Sequence, residues 1–124
     1  TPFRRFTENF LRFNVQPGNV DWFEDFAAIL SNARLAGRVA REGKARGILF
    51  DVEQYNRPVF EYRQQRGAKH RSWDEYAGQV RRRGREVMEA FQQGFGDGLV
   101  VFLTFGTSLP YQDSAGDAAR LPER

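Results

Sequence analysis

Two carboxylates, Asp51 and Glu53, lie two residues apart at the end of the apolar run that begins at Gly47. In an extended strand, residues at this spacing share one face, with Cα atoms about 6 to 7 Å apart. Carboxylates this close perturb each other's pKa, so that one stays protonated as an acid while its neighbour stays ionised. The pair therefore favours acid catalysis of the kind that cleaves glycosidic bonds. The alternative is structural, with Asp51 capping the loop that follows and Glu53 pairing with a nearby arginine.

Polar and aromatic side chains follow the carboxylate pair: Tyr55, Asn56, Arg57, Phe60, Tyr62 and Arg63. Aromatic rings can stack on sugar faces, and amide and guanidinium groups can bind hydroxyls or carboxylates. The substrate-binding residues predicted from this segment are Tyr55, Asn56, Arg57 and Tyr62. Tyr55 is the first choice, because it lies two residues beyond Glu53 and can hydrogen-bond a carboxylate there. The alternative is an ordinary surface loop that one or two aromatic residues anchor.

Three short strands and two helices are expected to position these residues. Runs of strand-forming residues predict strands at 10–15, 47–52 and 99–105. Apolar residues at helical spacing predict helices at 21–43 and 73–93. Strands that alternate with helices of this length are typical of right-handed crossovers in a parallel sheet. The fold class is therefore predicted to be α/β, a parallel βαβαβ segment.

The predicted helix starts carry a capping-box pattern, in which Asp21 is followed by Glu24 and Ser72 by Glu75. In a capping box the two side chains satisfy each other's free backbone N–H groups. Gly43 is a suitable stop for the first helix. Both patterns predict a helix that begins at the residue after the cap.

Ligands of parallel α/β folds bind beyond the carboxyl ends of the strands, where the strand-to-helix loops gather. Asn14 ends the first predicted strand, and Thr104, Thr107 and Ser108 lie at the end of the third. Asn14 and Thr104 are therefore predicted to lie at the same rim as the acids and to bind substrate. This prediction rests on topology alone.

Composition limits the classes of protein to which the chain can belong. The chain has 124 residues, 40% of them hydrophobic, which is enough for one core; residues 1–124 are expected to form a single α/β segment, with 106–124 an irregular tail or loop. A net charge of +3 with interspersed acids makes a nucleic-acid partner unexpected. Zero cysteines exclude disulfides and thiolate metal sites. We expect a soluble protein of undetermined compartment, with no membrane partner, metal or organic cofactor.

The segment GILFDVEQY, which contains Asp51 and Glu53, resembles the fourth-strand D-x-E motif of chitinase-like glycoside hydrolases. The segment from Trp73 to Glu86 is similar to bacterial proteins described as glycoside hydrolases. This resemblance implies a (β/α)8 barrel with Glu53 as the catalytic acid, Asp51 as the assisting carboxylate and a carbohydrate as the substrate. The chitinase pattern has aspartates where this chain has Arg46 and Leu49.

A (β/α)8 barrel needs about 250 residues, so three strands and two helices would be part of one. We expect such a part to associate either with the remainder of the barrel or with a second copy of itself. The competing prediction is a non-catalytic α/β binding or assembly module, whose arginine-rich helix contacts an acidic partner. A magnesium site for phosphoryl transfer ranks last, because two acids on one strand are few ligands.

Two basic features of the sequence are expected to be solvated. His70 is the only histidine and lies between Lys69 and Arg71, in a predicted loop. The arginines of residues 81–85 lie within the second predicted helix, where helical geometry spreads them around the cylinder. Gly84 interrupts this run, and a close contact between helix and sheet is the predicted reason for it.

Overall fold

A computed structural model describes residues 6–14, 20–52 and 59–104. The elements, in chain order, are β1 (Phe10–Asn14), α1 (Ala27–Glu42), β2 (Gly47–Asp51), a short 3-10 helix (Tyr62–Gln64), α2 (Trp73–Phe95) and β3 (Val100–Thr104). The three strands form one parallel sheet in the order β1-β2-β3. The predicted α/β class, the strand positions and the parallel pairing are confirmed for this part of the chain.

The register of the sheet decides which side chains share a face. Phe10, Gly47 and Val100 are aligned at one end, and Asn14, Asp51 and Thr104 at the other. Aligned residues of parallel strands point to the same side of the sheet. Both helices pack on the opposite side, against residues such as Leu11, Phe13, Ile48 and Phe50. Within the described ranges, the helices therefore cover one face of the sheet and leave the other face open.

The core lies between the sheet and the helices and consists of two clusters of buried residues. The larger cluster comprises Ala33, Ala40, Ile48, Val87, Ala90 and Phe91, and the smaller comprises Trp22, Phe26 and Tyr76. Phe91 lies at the centre of the larger one, in edge-to-face contact with the rings of Phe13 and Phe50 at 5.1 and 5.5 Å. This helix-facing packing is what holds β1 and β2 in place.

Glycine allows the two helices to approach each other closely. A Cβ added at Gly37 of α1 would overlap the carbonyl oxygen of Phe91 and lie 2.9 Å from the backbone nitrogen of Phe95. A Cβ at Gly94 would likewise lie 2.9 Å from the backbone nitrogen of Arg38. The prediction that Gly84 makes a close contact with the sheet is wrong, because a Cβ there would meet nothing within 4 Å.

The two capping-box patterns have different outcomes. Ser72 and Glu75 form the predicted box, and α2 begins at Trp73. Asp21 and Glu24 make part of the same exchange, since Glu24 accepts from the Asp21 backbone N–H at 3.2 Å. However, the segment closes a turn, and α1 begins only at Ala27. The predicted start at Asp21 is wrong because tertiary contacts of this segment take precedence over the helix.

Those tertiary contacts join the segment before α1 to α2 and to the loop after β2. The Trp22 indole donates to the carbonyl of Val59 at 2.7 Å, and the Trp22 carbonyl accepts from the Gln79 amide at 2.8 Å. The Tyr76 hydroxyl donates to the Asp21 carboxylate at 3.1 Å. Asp21 and Gln79 are both buried, so these bonds satisfy polar groups that water cannot reach.

The open face of the sheet carries large apolar side chains. Phe10 and Phe102, which lie on the outer two strands, are 36% and 56% exposed. Their ring centroids are only 6.4 Å apart, although a whole strand separates them. Gly47 of the central strand is paired with Phe10 and with Val100, two residues before Phe102, and it has no side chain to keep the rings apart. Among the described residues, no helix has the length and apolarity needed to cross a bilayer.

Candidate functional site

Asp51 is the last residue of the central strand and points to the face of the sheet that the helices leave open. It is 5% exposed. Its Oδ2 accepts hydrogen bonds from Nε of Arg12 at 2.8 Å and from Nη2 of the same guanidinium. Its Oδ1 accepts a long hydrogen bond of 3.4 Å from Oγ1 of Thr104. Asp51 is thus a buried carboxylate held by the strands on either side of it.

The ion pair with Arg12 determines what chemistry suits Asp51. The Arg12 side chain is 60% exposed, whereas that of Asp51 is 8% exposed, so the cation lies at the surface and the anion beneath it. An adjacent guanidinium favours the charged form of a carboxylate. In this ion pair, Asp51 is placed to stabilise positive charge or to orient a neighbouring acid.

The rim around Asp51 contains the two other strand-end residues that the sequence singled out. Asn14 and Thr104 are aligned with Asp51 on its two sides. Asn14 is exposed, and the Thr104 hydroxyl also lies 3.5 Å from the carbonyl oxygen of Phe50. The structure therefore brings Asn14, Asp51 and Thr104 together at the carboxyl edge of the sheet. Their role in substrate binding stays a prediction.

Glu53 follows the described part of β2 by two residues. Pairing with β3 continues to Val52, whose N–H donates to the Thr104 carbonyl at 3.4 Å, and Val52 is buried. Glu53, Tyr55, Asn56 and Arg57 lie outside the described residues, as do Thr107 and Ser108. The relative placement of the two predicted catalytic carboxylates thus stays a prediction.

Tyr62 lies in the short 3-10 helix and contacts α2 and its own loop. Its hydroxyl donates to the carbonyl of Arg71 at 2.7 Å, and its ring packs edge-to-face on Trp73 and Tyr76. These contacts lie with the smaller core cluster, on the helix side of the sheet. The structure gives Tyr62 a role in anchoring the loop. Its predicted contact with substrate stays a prediction.

The buried polar cluster beneath that loop is structural. The Tyr76 hydroxyl accepts a hydrogen bond from the Gly67 N–H at 3.0 Å while it donates to Asp21. The pKa of Tyr76 is raised above 10.0, chiefly by burial and then by its hydrogen bond to the Asp21 carboxylate. A neutral tyrosine donor next to an anion satisfies both groups. We assign this cluster to holding the loop on α2.

Arg12 is the site residue that sequence reasoning missed. The alternation in Phe10-Leu11-Arg12-Phe13-Asn14 places Arg12 on the same face as Asn14. Once β1 and β2 are paired in parallel, that face also carries Asp51. A search for opposite charges on the shared face of neighbouring strands would have found the pair. The structural alternative expected an arginine partner for Glu53; Glu53 lies outside the described residues, so that pairing stays a prediction.

The basic features behave as solvated groups, with one exception. His70 is exposed in a turn, and Arg81, Arg82 and Arg85 are exposed on α2. Arg83 instead turns inward, where it donates to the carbonyls of Trp22 and Glu24 and contacts the Phe26 ring, 4.3 Å from its centroid. The predicted contact of this helix with an acidic partner stays a prediction.

The described residues contain no group of three or more His, Cys, Asp or Glu side chains that could hold a metal ion. Among the described residues, the site at Asp51 includes the Asp51 carboxylate, the Arg12 guanidinium and the polar side chains of Asn14 and Thr104. Comparison with known proteins adds no analogy, because the chain matches no protein-family model, no curated protein and no solved structure. The resemblance to chitinase-like glycoside hydrolases therefore stays a prediction.

Proposed function

We propose that the chain is part of a (β/α)8-barrel glycoside hydrolase, whose acid chemistry takes place at the carboxyl edge of β2. The observation that carries the proposal is the buried Asp51 carboxylate at the end of the central strand, on the side of the sheet away from both helices. In closed βα barrels this side faces the barrel axis, and the carboxyl ends of the strands form the active site.

The open face of the sheet supports the barrel. Phe10 and Phe102 are large apolar side chains that lie exposed next to each other. Side chains of this kind fill the interior of a barrel. Leu103 is 41% exposed on the other face, where a helix following β3 would cover it. Both outer strands lack a second neighbour among the described residues. Further βα units would cover the exposed apolar residues and would pair with both outer strands.

In the proposed reaction Glu53 donates a proton to the glycosidic oxygen as the bond from that oxygen to the anomeric carbon breaks. Water supplies the hydroxyl group that the anomeric carbon gains, and the remaining water proton restores a protonated carboxyl group. Asp51 stabilises the positive charge that develops on the sugar and orients Glu53. Arg12 fixes the Asp51 carboxylate, and Asn14 and Thr104 are placed to hydrogen-bond sugar hydroxyls.

The test is hydrolysis of a panel of glycosides and polysaccharides by the protein and by two variants. Glu53→Gln removes the acid while keeping the shape of the side chain, and it should lower turnover by about 10² to 10⁴. Glu89→Gln is the matched control, because Glu89 is exposed on α2; it should retain full activity. Full activity in Glu53→Gln, or no hydrolysis of any glycoside by a barrel that contains the unmodified chain, would refute the proposal.

A further inference from the structure

A pocket of about 210 Å³ lies on the helix side of the sheet, and Asn14 at the carboxyl end of β1 is among the residues that line it. It separates the two core clusters, with Phe13, Phe50 and Val87 on one side and Trp22 and Phe26 on the other. Ile29 packs against both clusters and also lines the pocket. The pocket is therefore a gap in the core between the helices and the carboxyl ends of the strands.

Exposed residues of α1 and α2 border the pocket and define an entrance to it between the two helices. Asn32 on α1 and Gly84 on α2 both line it, and both are exposed. Val80 and Val87 flank Gly84 on the same face of α2 and also line the pocket. Because a Cβ at Gly84 would meet nothing within 4 Å, the missing side chain leaves this entrance open.

The walls favour a neutral aromatic molecule. In the part of the chain that the structure describes, five aromatic rings line the pocket, those of Phe13, Trp22, Phe26, Phe50 and Phe60. Rings attract one another in tilted and edge-to-face arrangements, such as Trp22 and Phe60 adopt at 5.5 Å. A dry apolar cavity of about 150 Å³ suffices to bind benzene, so this one has room for one or two rings.

Arg83, a charged residue that lines the pocket, already has hydrogen-bond partners within the protein. The Arg83 guanidinium donates to Oε2 of Glu86 at 2.8 Å, and also to the carbonyl oxygens of Trp22 and Glu24. Its charge is balanced by a carboxylate, so an anionic ligand would gain little from it and would lose its hydration. We propose that the pocket between Gly84 and Trp22 is a binding site for a neutral molecule with one or two aromatic rings.

Trp22 allows binding to be measured directly. The chain has two tryptophans, and the other, Trp73, is 59% exposed outside the pocket. In a Trp73→Phe background, the fluorescence of Trp22 reports on the pocket alone. Benzyl alcohol is the probe, cyclohexylmethanol is its non-aromatic counterpart and benzoate its anionic one. We expect benzyl alcohol to change the emission saturably, with a dissociation constant on the order of 1 mM, and to bind more tightly than either counterpart.

Gly84→Leu fills the entrance and should weaken benzyl alcohol binding at least about tenfold. Gly78→Leu is the matched control, because Gly78 is exposed on the same helix, has equal space for a Cβ and lies outside the pocket lining. Asn32→Phe blocks the entrance from α1 and serves if Gly84→Leu does not fold. Absence of saturable binding, equal binding after both glycine substitutions, or binding of either counterpart as tight as that of benzyl alcohol would overturn the proposal.

Discussion

The Arg12 guanidinium on β1 reaches diagonally across the sheet to the Asp51 carboxylate on β2. The register aligns Arg12 with Leu49, so Asp51 lies two residues closer to the carboxyl edge than the strand position opposite Arg12. The Nε to Oδ2 distance is 2.8 Å. The cation thus contacts the carboxylate from the side that lies away from the carboxyl edge of the sheet. This arrangement makes Arg12 a positioning residue in the proposed mechanism.

Replacing Arg12 should therefore destabilise the protein more than an ordinary surface arginine would. Arg12→Ala leaves a buried carboxylate without its cation, and we expect a loss of about 1 to 3 kcal/mol in the free energy of unfolding. Arg46→Ala is the control, because Arg46 pairs with Glu8 at 3.4 Å between two exposed side chains. That variant should lose at most about 1 kcal/mol. Urea unfolding measures both, and equal losses would contradict the assigned importance of the Arg12 to Asp51 pair.

Glycine substitutions in the two helices should have opposite effects. Gly37→Ala inserts a Cβ into the backbone of α2 near Phe91 and Phe95, so the helices must move apart and stability should fall. Gly84→Ala meets open space, and the better helix propensity of alanine should stabilise α2 by up to about 1 kcal/mol. Thermal unfolding of both variants checks this. A higher melting temperature for Gly37→Ala would contradict the close contact between α1 and α2 at Gly37.

The capping box of α2 predicts a pH-dependent contribution to stability. The pKa of Glu75 is lowered from 4.5, first by the hydrogen bond from the Ser72 backbone N–H and then by that from the Ser72 hydroxyl. A carboxyl whose pKa is lowered by folding stabilises the folded state above its unfolded-state pKa, and this contribution disappears as pH falls through the folded-state pKa. Glu75→Gln should therefore be less stable than the unmodified protein near neutral pH.

The stability difference should shrink as pH falls from 4.5 through the lowered pKa. Chemical denaturation over a pH series measures it, with Glu89→Gln as the control variant on the same helix. A difference that does not change with pH would show that the carboxylate charge of Glu75 contributes nothing.

Strand positions and the parallel sheet were predictable because apolar runs such as Ile48 to Phe50 are typical of strands, and because alternation with helices implies crossovers. The capping box at Ser72 was predictable for a similar reason, since Ser72 and Glu75 bond to each other within a single turn. The late start of α1 was not, because it depends on Trp22 reaching Val59, which lies 37 residues further along the chain.

In the candidate site, too, some features follow from local patterns and others depend on tertiary contacts. Topology predicted that Asn14, Asp51 and Thr104 would share an edge, since parallel strands end together. The ion pair of Asp51 with Arg12 depends on the exact register, which alternation alone does not give. The use of the Tyr62 hydroxyl inside its own loop depends on how residues 62 to 71 fold back, and no local pattern encodes that.

The role of Glu53 as the acid is tested most directly by the dependence of turnover on the leaving group. A glycoside with a poor leaving group, such as an alkyl alcohol, needs its oxygen protonated, whereas a dinitrophenolate leaves without a proton. We predict that Glu53→Gln lowers kcat/KM for an alkyl glycoside by at least about 10² and leaves that for the dinitrophenyl glycoside within about tenfold of the unmodified protein. Equal losses on both substrates would contradict proton donation by Glu53, and no loss on either would contradict its part in catalysis.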